Sequence, residues 1–353
     1  MNINVEYLTI AAAPEACQCQ WRLRYIRATG SPNHLDSHWM NTAPYHCLPI
    51  EELPADPGWL LQQGCPVIAV GEMGAARVRA ARAGAAHARV ANADVVVSDE
   101  SSAEALIANI ERTPVTALTL VQVLRSSEQL PVEAAMTVES LAYATLQAGA
   151  EYQAWLQARE EAPALVSGGE GEPIITRRDG DVVTAMLNRP ENRNALTVEL
   201  RDALVELLEL VLLDQSIEQL LITGRGACFC VGGELREFGL AGDPAAAHWI
   251  RSVHNPSRLL ARCAARVHCH VHSACVGSGI ELPAFAGLLS ADSKSFFQLP
   301  ELGFGLIPGA GGCVSIPRRI GRHRTAWLAL SGKKINARQA LEWGLIDEIR
   351  DSA

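Results

Sequence analysis

The stretch LPELGFGLIPGAGG, residues 299–312, sets five glycines and two prolines around a single acidic side chain, Glu301. Such a run reads as a phosphate cradle, a loose linker, or a loop that holds one carboxylate in place for chemistry. Its neighbours narrow the choice. HSACVGSGIELPAFAG (272–287) leads a predicted strand into Gly277-Ser278-Gly279, opens a helix there and places Glu281 in the first turn. A helix N-terminus stabilises developing negative charge, so the Ser278 amide is a candidate oxyanion donor. Pro283 follows closely, and a helix tolerates proline only in its first turn, which supports Glu281 lying at the helix start. Further upstream, GRGACFCVGGELREF (224–238) ends another strand in small residues followed by Gly232 and Gly233, a turn able to leave backbone amides facing a ligand.

Composition removes several classes of function. The 353 residues are 48% apolar and 20% charged with a net charge of −9, enough to bury a sizeable core in two domains. No run of eighteen or more apolar residues appears and the N-terminus lacks a basic start, so neither membrane insertion nor export is expected, and a cytoplasmic location is. An acidic balance with 5% aromatic residues argues against a nucleic-acid surface. The ten cysteines sit mostly in apolar runs and read as reduced, buried thiols; the one-residue spacing of Cys17/Cys19 and Cys228/Cys230 does not fit a zinc knuckle. Arg318, Arg319, Arg322, Arg324, Lys333 and Lys334 form a local basic stretch, read as a solvated helix end in preference to a phosphate contact.

Periodicity divides the chain. The first fifty or so residues are irregular. PVIAVGE reads as a strand, AARVRAARAGAAHARVANA as an Ala-rich helix and DVVVSD as a second strand, followed by a helix start at SSAEALIANIER. TALTLVQVLRSSEQL and residues 132–160 carry the spacing of two longer amphipathic helices. The Gly- and Pro-rich segment 162–173 is the expected boundary between an N-terminal α/β and helical domain, 1–165, and a C-terminal α/β domain, 173–353. There PIITRRDGDVVTAMLN predicts a hairpin, TVELRDALVELLELVLLD a helix, IEQLLITG a strand and RVHCHVHSACVG another strand.

Taken together, the three motifs have the logic of a thioester site: two amides polarise an acyl carbonyl and hold an enolate, while two glutamates in separate environments divide acid and base roles. Over about residues 173–349 the sequence resembles the crotonase superfamily, the enoyl-CoA hydratase/isomerase proteins. MLNRPENRNAL resembles its entry motif, GACFCVGGEL its first oxyanion loop, HSACVGSGIEL its second and PELGFGLIPGAGG its second-glutamate loop, with LALSGKKINARQALEWGLIDEI matching the helical segment that follows. The resemblance implies a crotonase-type ββα spiral, backbone oxyanion donors at Cys230 and Ser278, and paired catalytic carboxylates at Glu281 and Glu301. It further implies a water-positioning amide at Gly309 and a coenzyme A site lined by Arg193, Asn194, Ala195, Val231, Gly232 and Gly233. The glycines of 299–312 then shape a loop that aims Glu301 into the site.

Because hydration needs one group to activate water and another to protonate the α-carbon, both glutamates favour hydration of a 2-enoyl-CoA. No cofactor beyond the substrate's CoA thioester is expected, and a homo-oligomer, trimer or hexamer, is. The alternatives are an isomerase, a C–C cleaving enzyme or a cofactor-independent dioxygenase acting on an aromatic or cyclic acyl-CoA, and, in another class, a non-catalytic CoA-binding or assembly subunit. VESLAYATLQAGAEYQAWLQAR resembles the helical N-terminal region of the dihydroxyphenylacetyl-CoA dioxygenase branch, although the glutamate pair argues against that chemistry. The chain given stops at Ala353, where the resemblance implies further helices closing the acyl pocket. His268, His270 and His272 alternate along a predicted strand and share a face; groove histidines satisfied by hydrogen bonds are preferred there to a metal site, and no metal is expected.

Overall fold

The computed structural model describes residues 44–56, 58–71, 89–159 and 171–351, which belong to one compact unit. Strands β1 (His46–Pro49), β2 (Val67–Val70) and β3 (Val95–Val97) pair in that order as a small parallel sheet. The Ala-rich helix expected between β2 and β3 lies almost wholly outside the described residues. Helix α1 (Glu100–Arg112) is capped by Asp99, whose carboxylate accepts the Ser102 amide at 2.8 Å, two residues before the Ser pair that signals the start in the sequence. Then come α2 (Pro114–Ser127), α3 (Val132–Gln147) and α4 (Ala150–Ala158). The single helix predicted over 132–160 is therefore two, separated at Gly149, whose amide folds back onto the Leu146 carbonyl at 2.8 Å.

The hairpin predicted from PIITRRDGDVVTAMLN is present as β4 (Ile174–Asp179) and β5 (Val182–Leu187), joined by Gly180 and Asp181, with Gly180 at φ 62°. Helix α5 (Val198–Leu213) is capped by Thr197 and followed by β6 (Gln219–Gly224), α6 (Pro244–Val253), α7 (Pro256–Cys263) and β7 (Val267–Val271). The predicted strand RVHCHVHSACVG breaks at Ser273, which sits at φ 55° and sends the chain out of one sheet into another. Beyond that kink lie β8 (Ala274–Val276), the one-turn helix α8 (Ser278–Glu281), β9 (Leu288–Ala291) and β10 (Phe296–Gln298). Helices α9 (Gly312–Ile320) and α10 (Arg322–Ser331), β11 (Ile335–Asn336), α11 (Ala337–Trp343) and β12 (Glu348–Ile349) complete the described chain. The larger sheet has the order β12-β9-β7-β6-β5-β4, parallel except at the β4–β5 hairpin; β11-β10-β8 form a three-stranded sheet beside it.

The boundary expected at 162–173 falls mostly in residues outside those described, and the parts on either side of it share one core. Leu106 and Ile110 of α1, Leu120 and Leu124 of α2 and Met136 of α3 are buried in the same apolar cluster as Leu220, Ile280, Phe297 and Leu328. Polar staples reinforce the contact. Asp94, 1% exposed, pairs with Arg125 at 2.5 Å and with Arg322 of α10 at 3.3 Å while accepting the Val67 amide at 2.8 Å. The basic stretch divides: Arg318, Arg324, Lys333 and Lys334 are exposed, as a solvated helix end would be, whereas Arg322 is buried and Arg319 half-buried. Arg322 is buried against Asp94 and the Ala91 and Ala93 carbonyls, and Arg319 holds the Ala284 and Ala286 carbonyls and pairs with Asp347. Arg318 reaches Val314 and Leu130, and Arg324 lies over the Trp343 ring at 5.5 Å. The eight described cysteines are free thiols, all buried but the half-buried Cys47, as the composition implied. Among the described residues no helix is long and apolar enough to cross a membrane.

Removing Asp94 leaves Arg125 buried without a carboxylate and Arg322 with only the exposed Glu128, at 3.3 Å. Asp94→Asn is expected to cost about 3–5 kcal/mol of unfolding free energy, read as a lowered urea midpoint with an unchanged slope; a midpoint within error of the wild type would show that the triad does not tie these segments.

Candidate active site

Three loops and one helix build the site. The first loop, 229–234, hangs on backbone hydrogen bonds: Phe229 N–H donates to His272 O at 2.9 Å, Cys230 N–H to Ala274 O at 3.2 Å, Val231 N–H to Arg193 O at 3.3 Å and Glu234 N–H to Leu196 O at 3.1 Å. Gly232 N–H lies 3.4 Å from the Cys230 sulfur. Cys230 is therefore not an available oxyanion donor, because its amide is spent in the bridge to the strand that precedes α8. Within this loop only Gly233 N–H has no acceptor. The Cys230 thiol, buried, is pushed up to about 12 and stays neutral.

The second loop is the turn from β8 into α8. Gly277 has φ 52°, and a Cβ there would meet Glu301 Oε1 at 2.5 Å and Gly232 Cα at 3.7 Å, so this position needs glycine on both counts and brings the first and third loops together. The amides of Ile280 and Glu281 turn back to Gly277 O; those of Ser278 and Gly279 have no acceptor among the described residues. Ser278 is where the sequence puts it, with a free amide at a helix start.

Glu281, 2% exposed, takes Ala310 N–H at 2.8 Å and Gly312 N–H at 2.9 Å, both on Oε2, leaving Oε1 uncommitted. Gly312 permits this approach, since a Cβ on it would lie 2.7 Å from that carboxylate oxygen. Glu301 opens a short helical turn, Glu301–Phe304, after Pro300, and its Oε2 is enclosed with no hydrogen-bond partner. Burial pushes Glu281 up to about 7 against the pull of its two amide donors. Burial, and then the charge of Glu281, raises Glu301 well above the ordinary carboxylate range, with no amide of another residue to hold it down. Gly309 N–H has no partner among the described residues, and the ring of Tyr143 lies against the Gly309 α-carbon.

That tyrosine belongs to α3, which contributes more. Glu139, 1% exposed, takes Gly311 N–H at 2.8 Å on Oε1 and Cys313 N–H at 2.9 Å on Oε2. Burial, then the Glu281 charge, pushes its carboxyl well up while the two amides and Arg251 oppose the rise. The Arg251 guanidinium lies 4.6 Å over the Tyr143 ring and donates to Ser140 Oγ and Gln147 Oε1. The sequence reading passes over Glu139, Tyr143 and Arg251. The available signal is a carboxylate in an apolar stripe, with Ala135, Met136, Glu139, Ser140, Tyr143 and Leu146 at three-to-four spacing.

Of the residues expected to line a coenzyme A site, Arg193 to Ala195 and Val231 to Gly233 do come together, through the Val231–Arg193 hydrogen bond and the Leu196–Gly233 bridge. Their exposures differ. Arg193 is exposed, and among the described residues its guanidinium has no partner. Asn194 is wholly buried and structural: its side chain accepts Arg189 N–H at 2.8 Å and donates to the Arg225, Cys228 and Phe229 carbonyls. Ala195 is buried as well. His268 and His270 share a face and converge on Ser290 Oγ at 2.8 and 2.9 Å, His270 also reaching Asp292, whereas His272 meets Gly226 O at 3.0 Å. Among the described residues no group of three or more His, Cys, Asp or Glu side chains is placed to hold a metal ion.

Residues 177–352 match the family model for enoyl-CoA hydratase/isomerase. The same half is 34% identical over 184 residues to 1,2-epoxyphenylacetyl-CoA isomerase of Escherichia coli K12, covering 51% of this chain and 70% of that protein. The chain belongs to the enoyl-CoA hydratase/isomerase family. It is 32% identical over 182 residues to 2,3-dehydroadipyl-CoA hydratase of the same organism, covering 50% of this chain and 68% of that one. Among solved structures, enoyl-CoA hydratase from Thermoplasma volcanium GSS1 superposes with a TM-score of 0.48 at 31% identity, over 52% of this chain and 73% of that one. The C-terminal half is accordingly a crotonase-type domain of an acyl-CoA enzyme, and α1 to α4 lie outside the matched residues.

A carboxyl whose folded-state pKa is raised makes the folded state bind more protons than the unfolded chain between the two values, so stability falls as pH rises through that window. Wild type is therefore expected to lose stability relative to Glu281→Gln between about pH 5 and 7, by up to about 1.4 kcal/mol per pH unit. Paired urea titrations at pH 5, 6, 7 and 8 check this, and a pH-independent difference would contradict the burial of an ionising Glu281.

Proposed function

We propose that the protein hydrates a 2-enoyl-CoA. The observation that carries this reading is the pair Glu281 and Glu301, two carboxyls in one dry site with unequal surroundings. Two like groups in low dielectric do not both ionise readily, and the one holding amide donors ionises first. Glu281, with Ala310 and Gly312, is then the carboxylate that orients and deprotonates water; Glu301, with its enclosed, unpartnered oxygen, is the carboxylic acid.

In the reaction the thioester carbonyl lies between the amides of Gly233 and Ser278, two amides without acceptors on facing loops. Water oxygen bonds to the β-carbon and its proton passes to Glu281. The π electrons move onto the carbonyl oxygen as an enolate, which the two amides stabilise. The enolate re-forms the carbonyl by taking the Glu301 proton at the α-carbon, giving a 3-hydroxyacyl-CoA with no change of oxidation state. Arg193, exposed and unpaired, is suited to a coenzyme A phosphate. Its carbonyl and the backbone of Leu196 brace the loop from Val231 to Gly233.

One observation favours a second reading, isomerisation without water. The Tyr143 ring lies against Gly309, whose amide the hydratase reading assigns to the catalytic water, and one relative in the family is named as an isomerase. Loss of the conjugated enoyl-thioester absorbance, followed with product mass in heavy-oxygen water, separates the two. Hydration adds one labelled oxygen; isomerisation leaves the mass unchanged. Glu281→Gln and Glu301→Gln are each expected to lower kcat by about 10²–10⁴. An unlabelled isomer, or rates unaffected by either substitution, would overturn the hydratase reading.

A further inference from the structure

The amides of four consecutive residues, Ala310 to Cys313, point alternately at two carboxylates. Glu281 takes the first and third, Glu139 the second and fourth, at 2.8 to 2.9 Å. We propose that Glu139, supplied by α3 from outside the residues that match the family, is a positioning residue that holds this loop so that the Ala310 and Gly312 amides converge on Glu281.

Glu139 is placed to act through the loop and not on substrate. It spends one oxygen on each amide, whereas Glu281 takes both amides on Oε2 and keeps Oε1 for chemistry. The carbonyls of this loop are held elsewhere: that of Ala310 accepts from Ser257 Oγ at 2.5 Å, and that of Gly311, a residue at φ 97°, accepts the Val314 and Ser315 amides at 3.0 and 2.8 Å, with the Cys313 thiol directed at Pro308 O at 3.4 Å. The four amides have only the two carboxylates. The helix carrying Glu139 is itself seated. Tyr143, one turn on, lies against Gly309 under Arg251, and Ser140 meets His248 Nδ1 of α6 at 2.9 Å. Burying a carboxylate costs several kcal/mol unless donors meet it, so the position is consistent with a specific demand for those two amides and not with packing, for which an apolar residue would serve better.

Because it assigns a partner to the proposed base Glu281, the inference rests on the hydratase reading, and two cycles keep the failures of the two apart. In the kinetic cycle, Glu139→Gln, which keeps the side-chain shape but supplies one acceptor in place of two, is expected to lower kcat by about 10- to 100-fold, as displacement of a catalytic group by about an ångström does. KM is expected to stay within about threefold, since Glu139 touches no substrate. In the Glu281→Gln background the same substitution is expected to change the residual rate by less than about threefold, because its route to the reaction is already cut. Equal losses in both backgrounds, or none in the wild type, would overturn the proposal. The second cycle uses urea unfolding of the full chain and needs no turnover. The double variant's midpoint shift is expected to differ from the sum of the single shifts; additive shifts would sink the coupling even if hydration stands, and non-additive shifts would uphold it even if the substrate is not an enoyl thioester.

Discussion

Most of the site depends on a constraint that fits in four residues. Two carboxylates, from helices more than a hundred residues apart in sequence, are buried against one glycine-rich loop, and each can be buried only where N–H groups meet it. Alternation along the backbone solves this. Successive amides of a tight loop at a helix start face opposite ways, so one carboxylate on each side takes every second amide. The glycines are consequences of that packing. Gly312 has no room for a Cβ beside the Glu281 carboxylate, and Gly311 must turn through positive φ against the Phe285 ring.

From this follows the division of labour among the acidic groups. Burial raises all three carboxyls, and two amides oppose the rise at Glu281 and two at Glu139, but none from another residue at Glu301. The amides favour the charged form at Glu281 and nothing of the kind does so at Glu301, so the proposed acid and base roles follow from unequal hydrogen bonding in one buried cluster. The 229–234 loop and the turn into α8 leave amides of Gly233 and Ser278 uncommitted across from each other, which suits the thioester oxygen of the proposed reaction. Helices α3 and α4 close over these loops, with Trp155 packed on Phe304 and Phe238, residues of the 301–304 turn and of the turn after Gly233.

The sequence carries the crotonase half clearly because its signals are local: alternating apolar runs, a Gly-Asp turn, glycines at strand ends. The hairpin, α5 and β6 lie where periodicity puts them. Local signals fail where the outcome depends on a distant partner. Whether Cys230 or Gly233 keeps a free amide is settled by the Ala274 carbonyl, more than forty residues away, and no spacing within GACFCVGGEL reports it. Ser273 looks like one residue of a continuous strand, and only the position of the second sheet makes it a kink. Arg319 and Arg322 read as surface because arginine usually is; here backbone carbonyls and, for Arg322, Asp94 claim them, while Arg318 and Arg324 do stay exposed. Glu139 is the instructive omission, since a lone acid on an apolar helix face was visible, whereas its two amides belong to a loop about 170 residues further on.

The most direct measurement is residue-resolved amide hydrogen exchange of the 309–313 loop in the resting protein. The account predicts that the amides of Ala310, Gly311, Gly312 and Cys313 exchange as slowly as those of the central strand β6, while the neighbouring Gly309 amide, which has no acceptor, exchanges far faster. Uniformly rapid exchange from 309 through 313 would contradict the account, because a loop that opens freely cannot be clamped between Glu139 and Glu281.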